Sequence, residues 1–276
     1  MVILDFKGRL GNALFELSEA IYIANLKNTE LRILHRADTS LEEIYGREFI
    51  GNYKLIEEEE FDRSKFKKLK RRNGVSNDGK IDESSIANTK NVIIEDYFLG
   101  RSYVHDELIR DIFVPSESLR EEILELYAPT RNSLSMHIRR GDFLWSTYTK
   151  RGWHSCTKEY WETAYTLTGK EYNKVFILSD DLDWCKNTLN IPGNVIYVDK
   201  ETENFKLFFD LFLPSFCGDN IISASTFSWW MQHLNYNPTK TVIMPYPWNT
   251  VDMTLGERRY YTDNCIKLGI YDYKLK

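Results

Sequence analysis

The stretch NSLSMHIRRGDF, residues 132–143, runs from an alternating apolar pattern straight into two arginines, a glycine and an aspartate. A short apolar run bounded by polar residues reads as a buried strand, which leaves the charged group just past its carboxyl end. The same grammar recurs along the chain. VILDF (2–6) precedes the glycine-punctuated KGRLGN (7–12) and the helical pattern ALFELSEAIYIANLKN (13–28). KVFILSD (174–180) precedes DLDWCKNTL (181–189), NIISAS (220–225) precedes TFSWWMQHLN (226–235), and KTVIMP (240–245) follows. Strands alternating with helical stretches predict an α/β fold with parallel sheets covered by helices on both faces. Ligands of such sheets bind outside the carboxyl ends of the strands. Arg139, Arg140, Asp180, Asp181, Thr226 and Ser228 all fall there, on one predicted rim.

The 276 residues suffice for two domains of ordinary size. The net charge of −5, with scattered charges, argues against a nucleic-acid binder, which needs a dominant basic face. The four cysteines, at 156, 185, 217 and 265, form no CxxC pair and read as reduced thiols rather than a zinc site or disulfide framework. The opening segment carries acidic residues inside its apolar stretch, so it reads as neither signal peptide nor anchor, with the mature chain starting at Met1. Nothing approaches the roughly 18 apolar residues of a membrane span. Helical sequence ends in proline and polar residues at YAPTRN (127–132), which predicts a boundary between domains 1–128 and 129–276. Residues 57–90 read as a polar insertion in the first domain. Within it, RSKFKKLKRR (63–72) holds seven basic residues in ten and has two readings: a solvated segment balanced by EEEEFD (57–62), or a contact with anionic lipid or an acidic partner.

Adjacent arginines bind phosphate or carboxylate in bidentate fashion, and a turn at Gly141, which permits φ > 0, would let both converge. The alternative is a surface pair bridged to Asp142, worth little in stability. SDDLDW (179–184) offers a DxD pattern for a divalent ion, but Ser179 or Asp180 as N-cap of the following helix, with acids at its positive end, is the preferred reading. SASTFSWW (223–230) places hydroxyls and N–H groups at a helix start, a natural anion site, while Trp229 and Trp230 read as core. His35, His105 and His233 have no spaced partners and read as structural.

Taken together, GRLGN (8–12), HIRRGDF (137–143), HSCTKEYW (154–161), FILSDDLDWCK (176–186), STFSWW (225–230) and VIMPYPW (242–248) resemble, in order and spacing, the family 11 glycosyltransferases, inverting α-1,2-fucosyltransferases. The resemblance spans nearly the whole chain. It implies GDP-β-L-fucose as donor, a GT-B-type fold of two Rossmann-like domains facing a cleft, and no metal or other cofactor. The second domain would hold the donor. Arg139 would bind the pyrophosphate and neutralise charge on departing GDP, supported by Arg140 and Asp142. His137 would lie near the nucleoside, Ser225, Thr226, Phe227 and Ser228 would cradle the β-phosphate, and Asp181 or Asp180 would address guanine or ribose. Asp210 would reach the sugar. From the first domain, Arg9 and Asn12 would face the cleft. Asp142, His154 and Glu16 are candidates for the general base, beside a dissociative route without one.

The chain departs from the family pattern at Ala13, Ala224 and Met231, where the family has glutamine, asparagine and glycine, and IEDYFLGRSYVHD (94–106) keeps only the aromatics of the family's acceptor-side motif. A terminal β-galactoside fucosylated at O2 is the expected acceptor, on a glycan or a lipid-linked oligosaccharide. Alternatives are a related GDP-sugar transferase of other acceptor or linkage, and a sugar-nucleotide- or glycan-binding protein without catalysis. The implied setting is cytoplasmic synthesis of a bacterial surface glycan, with residues 63–72 a peripheral membrane contact.

Overall fold

Val2–Leu4 forms the first strand, β1, and every one of its side chains is buried. The structure is a computed structural model describing residues 1–35, 53–69, 86, 88–199 and 206–276. The chain divides into two compact units, Met1–Val114 and Pro115–Lys276.

In the first unit, β1 pairs in parallel with β2 (Leu31–His35) and, across the sheet, with β5 (Val92–Ile94). Strands β3 (Lys54–Glu57) and β4 (Lys67–Leu69) form the edges, giving the order β3-β2-β1-β5-β4. Helix α1 (Leu10–Leu26) follows β1 and packs back on it. Within residues 57–69, Glu57 ends β3 and Lys67–Leu69 form β4, and in the connection between them Phe61 and Phe66 meet at 4.8 Å and join Ile3, Leu34 and Ile93. The apolar residues spaced through the charged run anchor it, which charge patterning concealed. The described part of the basic run is largely paired. Arg63 bridges Asp5 (3.2 Å), Glu58 (3.2 Å) and Glu95 (2.7 Å), Lys65 bridges Asp62, and Lys68 bridges Glu95. Lys70, Arg71 and Arg72, and most of the predicted insertion beyond them, lie outside the described residues.

The second unit holds a six-stranded parallel sheet in the order β11-β10-β9-β6-β7-β8. Its strands are β6 (Ser133–Ile138), β7 (Lys174–Ser179), β8 (Val195–Tyr197), β9 (Asp219–Ile222), β10 (Val242–Tyr246) and β11 (Cys265–Gly269). The period-two pattern of β6 sorts its side chains. Leu134, Met136 and Ile138 enter an apolar cluster with Tyr160, Trp161 and Ala164 of the helix Lys158–Leu167. Ser135 and His137 point the other way: Ser135 accepts from Asn220 Nδ2 (2.6 Å) and His137 Nδ1 meets Ser228 Oγ (2.5 Å). Both faces of a parallel strand are covered, so all six residues are buried.

The division falls at 114/115, ahead of the position that YAPTRN predicts, and puts the helix Glu117–Tyr127 with the second unit. Lys174 Nζ donates to Tyr127 O (2.6 Å), and the Tyr127 ring meets Phe176 and Phe209 edge-on. Those contacts are remote in sequence and invisible to a reading of helix-stop signals. Cys156, Cys185 and Cys217 are buried, Cys265 is half-buried, and none is bridged. Among the described residues no helix is long and apolar enough to cross a membrane.

Candidate active site

Strand register assembles the site. Ile138 lies beside Ser179, so β6 and β7 end level and their next residues, Arg139 and Asp180, stand side by side, while β9 ends one residue earlier, with Ile222 beside His137, and brings Ser223 level with Ile138. Two hydroxyls tie these ends together. Ser223 Oγ donates to His137 O (2.8 Å) and accepts from Arg139 N (2.8 Å), while Ser179 Oγ donates to Ile138 O (2.8 Å) and accepts from Asp181 N (3.0 Å).

The paired arginines take different partners. Arg139 donates through Nη2 to Asp142 Oδ1 (2.6 Å), and its Nη1 forms an ion pair with Asp180 Oδ2 (2.8 Å). The other Asp180 oxygen accepts from Arg140 N (2.8 Å), so one carboxylate fixes a side chain and the adjoining backbone. Arg140 donates through Nε to Asp181 Oδ2 (2.9 Å), with its guanidinium 3.8 Å from the Trp184 ring centre. Arg139 is thus paired with both acids, and its side chain keeps 22% of its surface exposed. Two guanidiniums among three carboxylates leave a formal charge of −1, so anion affinity here must come from directed donors rather than from net charge.

Gly141 does not adopt a positive φ, contrary to the turn its sequence suggests. Its requirement is space: a Cβ there would overlap Asp180 Oδ2 and stand 3.3 Å from Asp180 Cγ. The helix N-cap is Asp181, not Ser179 or Asp180. Its Oδ1 accepts from Trp184 N (3.1 Å), and Asp183 lies in the first turn of the helix Leu182–Thr188. The Arg140 guanidinium holds the Asp181 carboxyl below its ordinary range. The acids expected to meet guanine or ribose therefore already hold the arginines and cap a helix. Among the described residues no cluster of three or more acidic, histidine or cysteine side chains suits a metal ion.

The helix Thr226–His233 begins beside β9, with Ser225 as its N-cap residue but making no side-chain cap bond. Ser225, Thr226 and Phe227 are partly exposed at this end. Ser228 is not: it is fully buried against His137, whose ring also meets Phe227 edge-on at 5.5 Å. Burial first, then the charge of Arg139, pushes His137 down to about 3, so it is neutral. His137 and Ser228 brace the helix from beneath instead of presenting polar atoms to a ligand. Trp229 and Trp230 are core, as their sequence predicts.

The remaining candidates stand elsewhere. Asp210, half-buried on the helix Lys206–Phe212, acts with Asp199 on Tyr127, whose phenol is raised chiefly by burial. His154 donates through Nε2 to Pro247 O (3.0 Å), which leaves Nδ1 as its lone-pair nitrogen. Burial lowers its basicity. In the first unit, Arg9 is exposed at the N-cap of α1 and Asn12 lies in the first turn, its N–H bonded to Arg9 O (2.9 Å). Glu16, also on α1, is fully buried and accepts from Lys7 N (2.8 Å). Burial raises its carboxyl well above the usual range, which disfavours the ionised form that a base requires. Asp142, 5% exposed and bound to Arg139, is a brace rather than an open base. Trp184, Ser179 and Ser223 were missed as site residues. Trp184 had a signal, an aromatic three residues past a capping aspartate; the two serines look like any strand-end serine.

A protein-family model described as Glycosyl transferase family 11 matches residues 1–264. The O-antigen biosynthesis glycosyltransferase WbnK of Escherichia coli is 30% identical over 164 residues, 53% of this chain and 54% of that protein. An Escherichia coli alpha-1,2-colitosyltransferase is 31% identical over 161 residues, 56% of this chain and 53% of that protein. The chain thus spans about half the length of these curated relatives. Among solved structures, NodZ alpha-1,6-fucosyltransferase co-crystallised with GDP has a TM-score of 0.54 at 15% identity, over 84% of this chain and 92% of that one. At that identity the likeness is one of fold, α/β of GT-B type.

Proposed function

The chain belongs to glycosyltransferase family 11, and on that footing we propose that it is an inverting, metal-independent fucosyltransferase. It moves L-fucose from GDP-β-L-fucose to O2 of a terminal β-galactoside, on a glycan or lipid-linked oligosaccharide, and forms an α-1,2 linkage. The observation that carries the reading is Arg139, held by Asp142 and Asp180 at the carboxyl end of β6, its side chain still partly exposed, with the start of the helix Thr226–His233 on the neighbouring strand. The acceptor oxygen attacks the fucose anomeric carbon opposite the diphosphate. The bond to GDP breaks with its electron pair, and negative charge grows on the diphosphate as positive charge grows on the sugar. The acceptor hydroxyl loses its proton to solvent as the new bond forms, the dissociative route without a dedicated base. Arg139 donors and the first-turn N–H groups meet the diphosphate, in the role a divalent ion fills elsewhere.

Incubation with GDP-fucose, galactoside-terminated oligosaccharides and EDTA should release GDP and form the product; loss of activity restored only by Mg²⁺ or Mn²⁺ refutes metal independence. One observation favours a second reading. The colitosyltransferase relative makes GDP-activated colitose the alternative donor, and competition between the two donors in the same assay decides.

A further inference from the structure

We propose that Trp145 is a stacking platform for a pyranose ring of the acceptor, an inference that rests on the glycosyltransferase reading. Of the seven tryptophans, Trp161, Trp229, Trp230 and Trp248 are fully buried, whereas Trp145 is 61% exposed. A single exposed apolar residue is ordinary; what sets this indole apart is that its ring contacts connect it to the arginine of the site.

The ring is not on a loose loop. Trp145 N donates to Asp142 O (3.0 Å), and Trp145 O accepts from Tyr148 N (3.0 Å) and Thr149 N (3.0 Å), which closes the short helix Ser146–Thr149 behind it. The indole meets the Tyr148 ring edge-on at 6.3 Å. Tyr148 stacks on Phe143 at 6.2 Å, and Phe143, itself nearly buried, stacks on Trp153 at 6.0 Å. The Arg139 guanidinium lies 5.8 Å from the Phe143 ring centre. An aromatic row therefore leads in three steps of similar length from the arginine that meets the diphosphate to the exposed indole. These contacts put the indole within three ring-to-ring steps of the reacting end, within reach of an acceptor saccharide bound there. The row also fixes the ring before binding, so little ordering is needed when a ligand arrives.

The surroundings select the class of occupant. On the chain next to the exposed indole, Ser146, Thr147, Thr149 and Lys150 are exposed, as is Leu144 at 51%. A pyranose offers an apolar C–H face, which matches the negative face of an indole, and a rim of hydroxyls, which matches these donors and acceptors.

The test compares the intact chain with Trp145→Ala and Trp145→Phe, using GDP and galactoside-terminated oligosaccharides. Trp145→Ala should raise the acceptor KM, and weaken saccharide binding to the GDP-bound protein by calorimetry, about tenfold or more. Trp145→Phe should recover part of that loss, while GDP affinity and donor hydrolysis without acceptor stay at parental values. Acceptor KM and saccharide affinity unchanged in Trp145→Ala overturn the platform while leaving the transferase reading intact. So does a parent protein that binds and hydrolyses GDP-fucose but binds no saccharide. Failure of the parent to bind GDP is the separate result that removes the reading beneath.

Discussion

Gly141→Ala is the most discriminating perturbation, because the structure gives a single reason for it to act. The backbone there is not in the left-handed region, so alanine meets no conformational penalty. By itself the change should stabilise by about 0.4–1 kcal/mol through the unfolded chain. Against this, the new methyl overlaps Asp180 Oδ2 and lies 3.3 Å from its carboxyl carbon. Ordinary contact is about 3.5–4.0 Å between carbons, so the carboxylate must retreat by on the order of 1 Å. Asp180 holds Arg139 Nη1 and Arg140 N, each at 2.8 Å, and neither contact survives that shift unchanged. With both side chains about a quarter exposed, the cost to stability is about 1 kcal/mol, which nearly cancels the gain. Catalysis has no such offset: a reacting group displaced by about 1 Å loses roughly 10²-fold in rate. Initial rates of GDP release should therefore fall by about two orders of magnitude in kcat/KM, with thermal unfolding within a few degrees of the parent. The decisive arm is the double variant with Asp180→Ala, which removes the oxygen the methyl strikes. There Gly141→Ala should add no further loss, and the two changes should be strongly non-additive. Parental kcat/KM in Gly141→Ala refutes the reasoning, as does a Gly141→Ala loss of the same size in the Asp180→Ala background.

Arg139→Ala should lower transfer by at least about 10²-fold while the chain stays folded, and Arg139→Lys should not rescue it, since a point charge cannot serve Asp142, Asp180 and a phosphate together; steady-state rates beside circular dichroism check both. Asp181→Ala removes a cap and the Arg140 partner and should cost about 1 kcal/mol of stability, seen as a lower Tm. Glu16 gives a pH prediction. Its folded-state carboxyl is raised by burial, so its contribution to stability is fully present below the unfolded value of about 4.3 and is lost as pH rises toward the folded value. Glu16→Gln, which keeps an acceptor for Lys7 N, should gain stability relative to the parent as pH rises from 4 to 8. A pH-independent difference in Tm would show that Glu16 does not titrate as inferred. His137, already neutral, should add no step to the pH–rate profile between 5 and 8. Such a step abolished by His137→Gln would contradict its buried role.

What the sequence determined by itself was the alternation of strands and helices, the rim of charged residues past strand ends, and the family. Each is written in local periodicity or in motifs short enough to read: SLSMHI sorts its own faces, and RRGD follows it on the chain. Pairing across the sheet decided the rest. Whether Asp180 faces a nucleoside or an arginine depends on β6 and β7 ending level, a register set by cores remote in sequence. Whether His137 and Ser228 meet a ligand or each other depends on how the helix Thr226–His233 lies against β6. Even Gly141, read as a conformational residue, turned out to be a spatial one, because the atom it makes room for comes from a strand forty residues away. Periodicity states which way a side chain points along its own element; only tertiary packing states what waits for it there.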